Sequence, residues 1–116
     1  MKRLKPLVDE EKKQRLIVMN GCRLLQNEMS DGQWKNEKVD KARGIKPGIY
    51  KLYLAIKADK AKAFSGIIVH VDDQGVYQQI GKEIIVKHDR AAFFIRAPDI
   101  GQVETISYDN QGKASV

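Results

Sequence analysis

Leu16-Ile17-Val18-Met19-Asn20-Gly21-Cys22-Arg23-Leu24-Leu25 decides how the first third of this chain folds. Read as one piece, it continues a helix opened by Asp9-Glu10-Glu11. Asp9 would cap free backbone N–H groups, the acids would sit at the positive end of the dipole, and Leu16 to Leu25 would carry the helix to about Met29. Read as two pieces, it is a hairpin: Asn-Gly between apolar runs is the strongest short hairpin signal, because both residues tolerate positive φ. A glycine inside a helix costs about 1 kcal/mol. Asp31-Gly32 then repeats the turn signal before Gln33-Trp34-Lys35-Asn36-Glu37-Lys38-Val39. The hairpin reading is preferred. It predicts a three-stranded β-meander at roughly 15–19, 22–28 and 33–39, after a basic arm and short helix confined to residues 1–14.

Beyond the meander, residues 40–48 read as a basic loop ending in the turn signal Lys46-Pro47-Gly48. Ile49 to Lys57 fits a short helix or a strand, since Tyr53 and Ala55 interrupt the alternation of Tyr50, Leu52, Leu54 and Ile56. The second half is plainer. The β-branched run Gly66-Ile67-Ile68-Val69-His70-Val71 leads into Asp72-Asp73-Gln74-Gly75, and Ile106-Ser107-Tyr108 leads into Asp109-Asn110-Gln111-Gly112, two loops suited to a type I turn closed by a left-handed glycine. Between them lie a strand at 83–87 and a short helix opened by Asp89. The expected class is α+β, mainly β: a small rolled sheet or barrel with a short helix in the C-terminal half, preceded by the meander.

At 116 residues and 13.2 kDa, with 42% apolar and 31% charged residues, the chain is one globular domain, expected to span 15–116. No apolar run approaches the ~20 residues of a spanning helix, and no signal-peptide h-region follows the basic start. No membrane association is therefore expected. One cysteine, Cys22, makes no internal disulfide, which fits a reducing cytoplasm. Residues 1–62 hold 16 Lys/Arg against 8 Asp/Glu, a balance of +8, while residues 63–116 hold 5 against 7, a balance of −2. A basic front attracts polyanions, but it equally keeps a small domain soluble.

Few residues point to chemistry. His88-Asp89 resembles a general-base pair, yet neighbours on a strand face opposite ways and no nucleophile elbow surrounds Ser30, Ser65, Ser107 or Cys22. The structural reading has Asp89 capping the helix, with His88 and Arg90 at the rim. His70 and Asp72 share a strand face at ligand-like spacing, but acids are expected in that turn anyway. Gly44-Ile45-Lys46-Pro47-Gly48 lacks the Lys-Ser/Thr of a phosphate loop. No enzyme activity, metal or cofactor is expected. Trp34, Lys35, Lys38, Lys41, Arg43 and Lys46, with Tyr50 and Tyr53 beyond them, interleave bases and rings as a nucleic-acid-binding barrel does. Packing in the core or at its rim is the preferred account of Trp34 and Tyr50.

Tyr77-Gln78-Gln79-Ile80-Gly81-Lys82, then Val86-Lys87-His88-Asp89-Arg90-Ala91-Ala92-Phe93, continuing through Pro98, Gly101, Val103, Ile106 and Tyr108, resembles the KfrB domain of plasmid-encoded proteins. The lead-in from Asp31-Gly32-Gln33-Trp34 to Lys46–Ala55 is similar as well, so the resemblance is expected to run from about residue 16 to the end. It implies an accessory protein of plasmid maintenance, segregation or conjugal transfer, and it brings no catalytic residues or cofactor. Phe93-Phe94-Ile95-Arg96 is more apolar than expected after the Ala-Ala-Phe block, a candidate partner patch. The expected function is non-catalytic docking of a protein of that apparatus, with Gln79, His88, Arg90, Phe94 and Ile95 as contacts. The alternative is direct DNA binding through the basic half. Gln78 is expected to be partly buried and hydrogen-bonded, and Gln79 exposed.

Overall fold

The computed structural model describes residues 13–94 and 96–116. The N-terminal arm, most of the helix expected before residue 15, and Ile95 lie outside the described residues. Four antiparallel strands, β1 (Gln14–Met19), β2 (Cys22–Glu28), β3 (Trp34–Lys41) and β4 (Gly48–Tyr50), form a first sheet in the order β3-β2-β1-β4. The meander is thus present. Asn20 and Gly21 both take positive φ, 51° and 77°, so the two residues reverse the chain as the Asn-Gly pair requires. The ambiguous stretch 49–57 is neither one helix nor one strand. It holds β4, a 3-10 turn at Leu52–Leu54 and β5 (Ile56–Lys57).

The second sheet has six strands in the order β10-β9-β6-β7-β8-β5, with β6 (Phe64–Val71), β7 (Gly75–Gly81), β8 (Ile84–Asp89), β9 (Val103–Tyr108) and β10 (Ala114–Ser115). All pairs are antiparallel except β5 with β8. This sheet is not closed into a barrel, because its edges β10 and β5 are two residues long and do not pair with each other. The helix expected after Asp89 is a single 3-10 turn, Arg90–Ala92. The molecule is mainly β.

The sheets pack face to face. Leu16, Val18, Leu25 and Tyr50 from the first meet Val69, Tyr77 and Ile85 from the second, with Ile45 and Leu52 filling between. The reverse face of the six-stranded sheet is covered too: Ala92, Phe93 and Ala97 from the segment after β8 lie over Ile68, Val76 and Ile106. Each aliphatic side chain enclosed this way contributes about 1.5–3 kcal/mol. A β-bulge sets the register of β6, where Ile68 faces Gln78 and His70 faces Tyr77, leaving Val69 unpaired. The extra residue turns His70 toward the first sheet, whereas strict alternation would place it beside Ile68.

Outward on the first sheet, the register aligns Val39 with Leu24, Leu24 with Ile17, and Ile17 with Ile49, one residue from each strand. Met19 and Cys22 pair in the adjoining row. At the two ends of this row Val39 and Ile49 are 58% and 56% exposed, and between them Leu24 and Ile17 are half-buried.

Candidate functional site

Gln78 and His88 project from β7 and β8 onto the covered reverse face, where both are fully buried. The Gln78 Nε2 amide reaches three backbone carbonyls, those of Glu104 at 2.9 Å and of Phe64 and Gly66 at 3.2 Å. With its nitrogen so engaged, Gln78 Oε1 is left to accept, and His88 Nε2–H donates to it at 2.8 Å. That fixes the histidine tautomer. The bare Nδ1 therefore accepts from the Tyr108 hydroxyl at 2.5 Å. Phe64 and Phe93 meet the imidazole edge-on and Tyr108 stacks near it. Burial lowers the His88 pKa to about 4, so the ring stays neutral, and burial raises the Tyr108 phenol to about 12. Every polar atom of the imidazole is matched.

His88 is therefore not a rim residue. It packs inward because β8 alternates, which puts Val86 and His88 on the covered face and Lys87 on the other. Asp89 does act as expected, its Oδ1 accepting from the Ala91 N–H at 3.0 Å to start the 3-10 turn. Arg90 is half-buried and donates to the Phe93 carbonyl at 3.4 Å. Phe93 points into the core and Phe94 out, 71% exposed, with the Lys113 ammonium 4.5 Å from its ring centre. Gln79 faces the opposite way and is half-buried, lining a cleft with Ile49, Lys51 and Glu83. The expected contact residues thus do not meet on one surface. Arg90 and Phe94 share the covering segment, Gln79 lies across the sheet, and His88 lies beneath.

A second polar cluster joins the sheets. Buried Arg23 donates through Nη2 to the Val69 carbonyl at 2.8 Å and lies 3.3 Å from His70 Nδ1. A guanidinium only donates, so Nδ1 accepts and the His70 proton sits on Nε2, 3.4 Å from Asp72 Oδ2. Burial alone would raise the Asp72 carboxyl, but hydrogen bonds from His70 and from the Gln74 and Gly75 N–H groups outweigh it and hold the pKa below the ordinary value. The His70–Asp72 pairing foreseen as ligand-like is real as a contact, with Arg23 filling the other side. No group of three or more His, Cys, Asp or Glu able to hold a metal occurs among the described residues.

The basic residues of the first half are spread out. Lys35, Lys38 and Lys41 lie on β3, one edge of the first sheet, and Arg43 and Lys46 lie in the loop beyond. Register sends Lys41, opposite Cys22, to the outer face, and Lys38, opposite Leu25, toward the inner side. Arg43 sits 3.8 Å from Asp40. Trp34 is half-buried, covered by the Arg15 guanidinium at 4.2 Å and near the Tyr53 ring at 5.9 Å. Tyr50 is buried core, its hydroxyl donating to the Lys46 carbonyl. The outward row from Val39 to Ile49 was not anticipated as a site. Its signal was Leu16-Ile17-Val18-Met19, apolar at every position where one wet face would impose alternation.

Compared with known proteins, residues 63–116 match the family model of the KfrB domain. The match covers β6 to β10 and not the first sheet, so it is narrower than the resemblance beginning near residue 16. No curated protein matches the chain. No helix of the described residues is long and apolar enough to cross a membrane.

Proposed function

We propose that this chain, whose residues 63–116 match the KfrB domain of a plasmid-associated family, is a non-catalytic accessory protein that docks another protein of a plasmid maintenance or transfer apparatus. The state of His88 carries the reading. The most reactive-looking residue of the family block is neutral, enclosed and hydrogen-bonded on both nitrogens, so it supports a scaffold rather than proton transfer. What the scaffold presents outward is Phe94 on a short turn fixed by Asp89 and Arg90. Exposed aromatics on rigid turns are the side chains that anchor protein interfaces.

The test is capture of plasmid-encoded proteins by the full chain from plasmid-bearing cells, repeated with Phe94→Asp. Loss of a specific plasmid-encoded partner in the variant, with an unchanged melting curve, is expected. Equal recovery by both chains would contradict the role of Phe94, and failure to recover any plasmid-encoded protein would contradict the docking function. DNA titration at two salt concentrations separates the alternative. If the β3 lysines met phosphates, log affinity would fall with log salt by about 0.9 per contact on duplex.

A further inference from the structure

The outer face of the first sheet lies wholly outside the segment matched to the KfrB domain, and it carries an independent inference. Val39, Leu24, Ile17 and Ile49 make one unbroken row across all four strands. At about 4.8 Å between strands, the row is roughly 14 Å long, the rise of about ten helical residues. Cations stand on both flanks. Arg15 is two residues from Ile17 on one side, stacked on Trp34, and Lys41 is two residues from Val39 on the other. Among the described residues the one carboxylate in this outward register, Glu28, is already 3.5 Å from Lys13.

We infer that this face is a docking site for an acidic amphipathic helix of a partner protein. The helix lays apolar side chains at i, i+3 or i+4, and i+7 along the row, with carboxylates toward Arg15 and Lys41. Charge decides among occupants. A second copy would set the same cations against themselves, and like charges across an interface cost affinity. A nucleic acid would engage the cations and leave the aliphatic row wet, giving up the apolar burial that is the larger resource of this face. An uncharged apolar segment would leave Lys41 unmatched and Arg15 with only Trp34 and Gln26.

The test uses the full chain as bait for a displayed library of helical peptides of about 14 residues, followed by anisotropy with the enriched peptides in synthetic form. Enriched sequences are expected to show the i, i+3/i+4, i+7 apolar period flanked by Asp and Glu. Their affinity should fall with added salt and drop about tenfold or more for Val39→Glu. Lys41→Glu, which leaves the row intact, should weaken acid-flanked peptides and not their Lys-flanked analogues. Both positions are exposed on the strand, and unchanged melting curves would show that the variants fold.

Each contrary result overturns the inference. Basic or aperiodic sequences would do so, as would no enrichment over an unrelated bait, or peptides that bind Val39→Glu unchanged. Self-association abolished by Val39→Glu would make the occupant a second copy. Tighter peptide binding by Leu4→Glu/Leu7→Glu would make it the chain's own first residues. All of these would leave the docking reading for Phe94 untouched, because Phe94 lies on the segment that covers the other sheet.

Discussion

The two sheets begin from the same kind of sequence and end in different environments. Ile67-Ile68-Val69 in β6 and Leu16-Ile17-Val18-Met19 in β1 are both apolar at successive positions. In β6 the pattern is fully answered: Ile68 is enclosed by the segment after β8, and Val69 by the first sheet. In β1 only Leu16 and Val18 are enclosed, while Ile17 and Met19 face outward beside Leu24, Val39 and Ile49. An unbroken apolar strand therefore signals two-sided burial, and where the fold supplies one side, the second is a surface for something else.

If that contrast is right, substitutions in the six-stranded sheet should be costly and those on the outer face of the first sheet nearly free. Gly66→Ala should have the largest effect. A Cβ there would lie 1.8 Å from the Gln79 carbonyl oxygen, so β6 and β7 must separate. A loss of about 4 kcal/mol, read as a much lower denaturant midpoint, is expected. Acid comes next. His88 stays neutral in the fold down to about pH 4, while the unfolded chain takes up a proton near 6.5. Stability is therefore lost as pH falls through the window between those values. About 2 kcal/mol should go between pH 7 and pH 5 by this group, and His88→Gln should flatten that part of the profile.

Asp89→Ala removes the acceptor that starts the 3-10 turn and should cost about 0.5–2 kcal/mol in chemical denaturation. Val39→Thr, on the open face, should change the midpoint by no more than about 0.5 kcal/mol. A large loss there would mean that the outer row is structural and would break the comparison.

Strands and turns were legible because their signals are local. The Asn20-Gly21 pair sets the first hairpin, Gly112 takes the expected left-handed φ of 80°, and Asp89 caps the turn that follows it. Gly75 does not follow the same rule. Its φ is not positive, and it is needed because a Cβ would press within 3.0 Å of the His88 carbonyl. The burial of Gln78 followed from alternation, but its partner did not. Alternation sets only the face His88 takes, and it is the register of β7 with β8, pairing His88 with Val76 and Val86 with Gln78, that brings it within reach of Gln78. The contacts of Arg23 with Asp40 and with His70 join positions 17 and 47 residues apart, which no local pattern encodes.

The order of strands also bears on synthesis. The first sheet is complete in sequence by Tyr50, whereas β6 finds its neighbour β9 only after residue 103, and β5 waits for β8. A chain emerging from the ribosome can thus close the local hairpins of the first sheet while Leu16, Val18, Leu25 and Tyr50 still lack their cover. For that interval the nascent sheet is sticky on both sides. Nascent chains stalled after the first sheet should be captured by a holdase chaperone, and release should follow extension through β9.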